Sequence, residues 1–304
     1  MEIWGDFVRK RVRFPCQQHL RDEGGKKMRI GIRGHDLGKN TPELFAQSVA
    51  DAKLESLQLV LAKAIENESD VPPILNVDLT EEVKTALEKY GIKVAMMGAY
   101  FNPIHSNKTL VETTVENFKH HLKMAKFFGT DLVGTETGSY NDDQWTWHEN
   151  NDSDEAFFEV LRVFKDILPV AEESGVYLTI EPAYHHVIST PARLKRLVDA
   201  LDSKNVRVIF DLFNLLHRGN THEQHKLVDE MVTYFKDLIM IVHAKDFRLV
   251  DGELIQVAPG RGEMDYDYLI KQLQTLNTVP DIVLEGVVGE DIAFSRAFIA
   301  DKLL

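Results

Sequence analysis

Short apolar runs rich in Val and Ile alternate along this chain with longer segments whose apolar residues return every three or four positions. The short runs have the pattern of strands buried on both faces, as in a parallel sheet. They cover 29–34, 56–61, 93–100, 132–137, 177–182, 207–213, 240–245 and 282–286. The longer segments are amphipathic helices. Val111, Val115, Phe118, Leu122 and Ala125 step by 4, 3, 4 and 3, and Phe157, Leu161, Phe164, Leu168 and Ala171 repeat those steps. Thr41-Pro42 and Thr190-Pro191 place a capping residue before a proline at the first helical position. Gly91, Gly129 and Gly175 stand where a helix must stop in a left-handed residue. The helices are expected over 42–51, 81–90, 110–128, 154–173, 191–201, 223–236, 266–276 and 291–302.

Eight strands, each followed by a helix, predict an α/β chain folded as a single (β/α)8 TIM barrel over 28–304. The rival is an open doubly wound sheet, which would normally show a phosphate-binding turn. Gly34-His35-Asp36-Leu37-Gly38-Lys39-Asn40 is one residue short of a P-loop and has no Ser or Thr after its Lys. Gly260-Arg261-Gly262 does not lie between a strand and a helix as a dinucleotide turn must. Both read as ordinary turns, and no nucleotide cofactor is expected.

Residues 1–27 stand apart, with seven Lys or Arg against four Asp or Glu in a chain whose net charge is −13. The segment has neither helical nor strand periodicity. It is open to three readings: a basic interaction tail, a strap over the barrel, or translated upstream sequence with Met28 as the natural start. The overall acidity disfavours nucleic acid as a partner. A single cysteine, Cys16, allows no internal disulfide, and no apolar run reaches the length of a membrane span. The expectation is a cytoplasmic protein with no membrane partner.

In such barrels the chemistry lies where the strands end. The last four strands run apolar and then stop on a ligand-type side chain: Thr179-Ile180-Glu181, Val208-Ile209-Phe210-Asp211, Ile241-Val242-His243 and Ile282-Val283-Leu284-Glu285. Any one of these could simply cap the next helix. Four at equivalent places are harder to explain that way, because three carboxylates buried in one barrel mouth need a compensating cation. Three carboxylates and one imidazole suit Mn²⁺, Mg²⁺ or Co²⁺, with Zn²⁺ also admissible.

Around this set, Phe210-Asp211-Leu212-Phe213-Asn214-Leu215-Leu216, His243-Ala244-Lys245-Asp246, Pro259-Gly260-Arg261-Gly262-Glu263-Met264-Asp265-Tyr266 and Leu284-Glu285-Gly286 carry a resemblance. From Met28 onward the chain resembles the sugar phosphate isomerase/epimerase superfamily of xylose isomerase-like barrels. That superfamily holds ketose 3-epimerases, inosose dehydratase and, more distantly, endonuclease IV. The resemblance implies that Glu181, Asp211, His243 and Glu285 bind a single metal. Ketose 3-epimerases usually carry His three residues after the strand-six Asp and Arg six after the strand-seven His. Here those features are Asn214 and an Arg248 five residues on, so that subgroup's substrate contacts do not carry over.

His35, Asn102, His105 and Glu136 also follow strands and are expected at the same face, as is His186, five residues after Glu181. Glu136 would bind substrate hydroxyls or a second metal, or else serve as a cap or salt bridge. Lys245 points to the same side of its strand as His243 and would neutralise an enediolate or phosphate, or form a buried ion pair. Asn214 completes the expected substrate contacts. Trp145 and Trp147 would wall a sugar ring or pack elsewhere; His217, His222 and His225 follow strand six, the last two at a solvated helix start, and no metal site is expected there.

The reaction expected first is isomerisation or epimerisation of a small keto-sugar or polyol derivative through an enediolate. Glu181 and Glu285 would remove and return the proton, and the cation would stabilise the developing charge. A keto-polyol dehydratase shares the first step. An endonuclease IV-like phosphodiesterase and a non-catalytic sugar-binding barrel are the more distant alternatives. A homo-oligomer is compatible with the superfamily, and the sequence does not set the number of subunits.

Overall fold

The computed structural model describes residues 27–304; residues 1–26, and with them the readings of the basic segment, lie outside the described residues. The barrel strands are β1 (Ile30–Arg33), β2 (Ser56–Leu59), β3 (Lys93–Gly98), β4 (Leu132–Thr135), β5 (Tyr177–Ile180), β6 (Val206–Asp211), β7 (Ile239–Ala244) and β10 (Asp281–Leu284). All neighbours are parallel, and the sheet closes in the order β1-β10-β7-β6-β5-β4-β3-β2. The expected (β/α)8 barrel is the observed fold.

Each strand buries both faces, as its continuous apolar run requires. Val208 and Phe210 face outward into the main core beneath the helices, while Ile209 and Ile241 join Met96, Leu132 and Val283 in a second cluster that fills the barrel. Gly134 lets that interior close: a Cβ there would lie 2.5 Å from Met96 Sδ and 2.9 Å from Ile209 Cδ1. At the N-terminal end, Arg29 donates two 2.7 Å hydrogen bonds to the Asp281 carboxylate, tying β1 to β10 where the barrel closes.

The helices at 42–51 and 191–201 fall where expected. Thr190 Oγ1 caps its helix by accepting from Arg193 N, but the Thr41 side chain makes no such bond. Gly91, Gly129 and Gly175 all have φ between 61° and 75°. The helix expected from 81 begins at Val77, because the Asn76 carboxamide accepts from Leu79 N and starts it one turn earlier. Strand six ends at Asp211, two residues early, where Asp211 Oδ1 accepts from Asn214 N and turns Leu212–Leu215 into a short helix. The segment after strand seven, expected to be loop, contains an antiparallel hairpin, β8 (Asp246–Val250) with β9 (Glu253–Val257). Its turn, Asp251-Gly252, has both residues at positive φ. Among the described residues no helix is long and apolar enough to cross a membrane.

Candidate metal centre

Strand alternation builds the site. On β6, Ile209 packs in the barrel interior, so Asp211 two residues on faces the same way. On β7, Ile241 does the same for His243 and Lys245, and on β10 Val283 does so for Glu285. Asp211 and His243 are register partners, as are His243 and Val283. One ligand atom from each of Glu181, Asp211, His243 and Glu285 lies within 4.8 Å of all the others.

The contacts converge on one ring nitrogen. His243 Nδ1 is 2.9 Å from Glu285 Oε2, 3.1 Å from Glu181 Oε1 and 3.7 Å from Asp211 Oδ2. A single N–H satisfies one acceptor, yet three carboxylates surround this one. Asp211 Oδ2 is wholly buried and receives no directed hydrogen bond; the Lys245 ammonium, at 2.8 Å, supplies its nearest charge. The donor set therefore fits a divalent cation: hard oxygens plus one imidazole, with a buried oxygen left without a donor. The two oxygens of Asp211 divide their roles: Oδ1 caps Leu212–Leu215 while Oδ2 faces the cluster.

The other ring nitrogen, His243 Nε2, lies 2.7 Å from Gln58 Oε1 on β2, and Gln58 Nε2 in turn donates to Tyr100 Oη at 2.8 Å. This chain fixes the tautomer, with hydrogen on Nε2 and the Nδ1 lone pair directed at the carboxylates when the ring is neutral. Burial opposes a charge on His243, but Glu181 and Glu285 outweigh it and hold the ring's pKa well above the usual value. In the absence of a cation the imidazolium thus balances the carboxylates, and metal binding would displace its proton.

Two further cations enter the cluster. Lys245 is 5% exposed, and its Nζ is 2.8 Å from Asp211 Oδ2, 3.0 Å from Glu285 Oε1 and 3.0 Å from Asn214 Oδ1. Arg33, at the end of β1, donates to Glu285 Oε1 at 2.7 Å and to Asp36 Oδ1, while Asp36 Oδ2 accepts from Gly286 N. Burial would raise the Glu285 pKa, but Lys245, His243 and Arg33 more than offset it and hold the carboxyl well below its ordinary range.

The structure brings only some of the candidate substrate residues to this cluster. Asn214 joins it directly, with Nδ2 donating to Glu181 Oε1 at 2.8 Å. Among the described residues no hydrogen bond reaches the carboxyl of Glu136, one residue beyond β4. Burial and the negative charges of Glu181 and Glu285 push that carboxyl well above the usual range. His186 Nδ1 is buried without a partner, 3.9 Å from Glu136 Oε1, and the ring stands edge-on to Trp145. Burial lowers the His186 pKa to about 4, so the ring is neutral near pH 7. His35 lies on the turn after β1, neutral for the same reason and beside Arg33, with Nδ1 unpartnered.

Asn102 and His105 are used elsewhere. The Asn102 amide donates to the carbonyls of Ser139 and Asp142 and accepts from Ile104 N, lacing the loops after β3 and β4 together. His105 accepts from Asn107 N and faces Asp142 and Asp143. Trp147 is exposed, His217 stacks on Tyr184, and His225 stacks on Tyr268. Sequence reading passed over Gln58, Tyr100 and Arg33. Their signal was available: a polar residue within each of the apolar runs Leu57-Gln58-Leu59 and Ile32-Arg33, and a Tyr two residues beyond the end of β3.

With this geometry in place, comparison with known proteins places the chain. The profile of the xylose isomerase-like TIM barrel family matches residues 46–298. The chain belongs to that family. It is similar to an uncharacterized protein of Methanocaldococcus jannaschii, 23% identical over 221 residues, 71% of this chain and 72% of that protein. Among solved structures it is similar to a D-tagatose 3-epimerase-like protein at 19% identity and a TM-score of 0.71, covering 91% of this chain and 97% of that one. It is also similar to a xylose isomerase-like TIM barrel protein from Mycobacterium smegmatis in complex with magnesium, at 15% identity and a TM-score of 0.69, covering 91% and 96%. At these identities the likeness describes the shared barrel.

Proposed function

We propose that this family member is a divalent-metal-dependent isomerase or epimerase of a small keto-sugar or polyol derivative. The observation that carries the reading is the placement of two glutamates, Glu181 and Glu285, in the same buried cluster as Asp211 and His243. The D-tagatose 3-epimerase-like neighbour supports a sugar substrate, and the magnesium complex supports a divalent cation. Glu181, Asp211, His243 and Glu285 would hold the cation, which supplies electrophilic stabilisation of charge on substrate oxygens.

The chain's own residues perform the proton transfers. Glu285, kept ionised by Lys245 and Arg33, accepts a proton from the substrate carbon next to the carbonyl. The electron pair of the broken C–H bond moves toward the carbonyl oxygen, giving an enediolate. Glu181, whose Oε1 is fixed by Asn214 Nδ2, takes up a proton from solvent and delivers it to the carbon, while Glu285 gives up its own to solvent, so the cycle closes with both carboxylates ionised again. Lys245 places a fixed positive charge beside the developing anion at no cost of reorganisation. The Trp145–His186 contact and Glu136 line the side toward β4 and β5, where hydroxyl groups away from the reacting carbons would be recognised.

The test is hydrogen exchange. Manganese-loaded protein is incubated in D₂O with a panel of ketoses and keto-polyols, and deuterium incorporation is followed by NMR. Glu285→Gln and Glu181→Gln are each expected to slow exchange by about 10²–10⁴-fold, the usual worth of a positioned acid or base. Exchange at the wild-type rate in both variants would refute the assignment.

A further inference from the structure

Lys245 has no obvious place in a cation site. Positive charge within a metal's ligand shell opposes binding, yet this ammonium is buried among the ligands. Its Nζ donates to Asn214 Oδ1 and stands within ion-pair distance of two carboxylates, 2.8 Å from Asp211 Oδ2 and 3.0 Å from Glu285 Oε1. Asn214 donates in turn to Glu181 Oε1, so one ammonium holds two ligands directly and a third through one amide. Arg33 reaches Glu285 but not Asp211, and its other contact is Asp36, so it does not duplicate this role.

We infer that Lys245 is a resident counter-ion of the metal centre. It keeps Asp211, Glu285 and Glu181 assembled before any cation arrives, and by its charge it weakens the affinity for that cation. Without Lys245, the metal-free cluster would leave its three carboxylates with Arg33, which reaches Glu285 alone, and the ligands would repel one another apart. With it, the site is preformed, and the bound cation is exchangeable rather than locked in. Stability without metal and affinity for metal are thus traded against each other by one side chain. The inference deepens the metal-centre reading and rests on it.

The experiment compares wild type, Lys245→Met and Lys245→Arg after chelator treatment and dialysis. Met matches the length of the buried stem without its charge, and Arg keeps the charge. Mn²⁺ is titrated calorimetrically into each, and melting is recorded without and with saturating Mn²⁺. Lys245→Met is expected to bind Mn²⁺ at least tenfold more tightly than wild type, because a repelling charge has gone. Its metal-free melting temperature should fall by about 5–10 °C, since two carboxylates lose their buried partner, and saturating Mn²⁺ should restore most of that loss. Lys245→Arg should stay within threefold of wild-type affinity. A purely packing role predicts the opposite: weaker or unchanged Mn²⁺ affinity, with the same melting deficit whether or not metal is present. Either of those results would overturn the inference. A wild-type chain that binds no Mn²⁺ would remove the metal-centre reading itself, and this inference with it.

Discussion

Gln58→Leu isolates the contribution of the residue behind His243, the imidazole of the candidate metal centre. Gln58 is fully buried on β2 and makes two side-chain hydrogen bonds, one with His243 Nε2 at 2.7 Å and one to Tyr100 Oη at 2.8 Å. Leu fills a similar volume, so cavity formation adds little. The loss is that of two buried polar groups left without partners, at about 1–3 kcal/mol each. The Tyr100 hydroxyl retains carboxylates nearby, which places the sum near the lower end, at about 2–4 kcal/mol. For a chain of this size that corresponds to a fall in melting temperature of about 5–10 °C. The second consequence concerns the metal. Once Nε2 loses its acceptor, the neutral imidazole is free to carry its hydrogen on Nδ1, the nitrogen that faces the three carboxylates. Loss of such an outer partner typically weakens metal binding by about 10–100-fold. Scanning calorimetry of the metal-free protein reads the first effect, and Mn²⁺ titration reads the second. A variant that loses stability but binds Mn²⁺ with wild-type affinity would refute the tautomer argument.

Two predictions lie outside the cluster. His121 is buried in the helix Lys108–Met124, with Nδ1 donating to Asn117 O, and burial lowers its pKa to about 4 from 6.5. The unfolded chain therefore takes up this proton first as pH falls, and the stabilisation is lost progressively between about 6.5 and 4. At 1.36 kcal/mol per pKa unit, about 2 kcal/mol of this contribution is gone at pH 5 relative to pH 7. Urea unfolding at the two pH values should show His121→Leu losing less stability than wild type by that amount; equal losses would contradict it. Asp246 accepts four backbone hydrogen bonds, from Phe247, Gly260, Gly262 and Met264, all between 2.8 and 3.0 Å. In Asp246→Asn the amide NH₂ must face at least one of those N–H pairs, at a cost of about 2–4 kcal/mol. Limited proteolysis should then cut within 259–264, and resistance equal to wild type would count against the role.

The Pro259–Tyr266 motif illustrates what a sequence pattern does and does not disclose. It marked the segment as specific, but the reason is visible only in three dimensions. Gly262 lies so close to Asp246 that a Cβ there would stand 2.3 Å from its carboxylate and 2.2 Å from Phe247 O. The hairpin was legible in principle, since Asp251-Gly252 between Leu249 and Leu254 is a two-residue turn signal. An apolar run buried on both faces does not describe it, because β9 is largely exposed.

The sequence by itself determined the order and period of the elements, hence the barrel, and the four strand-end side chains that gather in one cluster. Both follow from local rules: side chains alternate along a strand, and a carboxylate at the end of an apolar run has no partner of its own. The tertiary structure alone decided which polar residues near the mouth meet. Asn102 follows β3 as a substrate contact would, yet its amide is taken up by the Ser139 and Asp142 carbonyls of the neighbouring loop, while His105 turns to Asn107 N and the Asp142 and Asp143 carboxylates. Gln58 and Arg33, separated from His243 and Glu285 by 185 and 252 residues, become neighbours only because the barrel closes β1 against β10 and β2 faces β7 across the interior. Strand alternation turns Lys245 toward the mouth without saying what it meets there, and its three partners come from β6, the helical turn after it and the end of β10. No spacing along one chain encodes such a meeting, because it depends on how strands distant in sequence are brought into register.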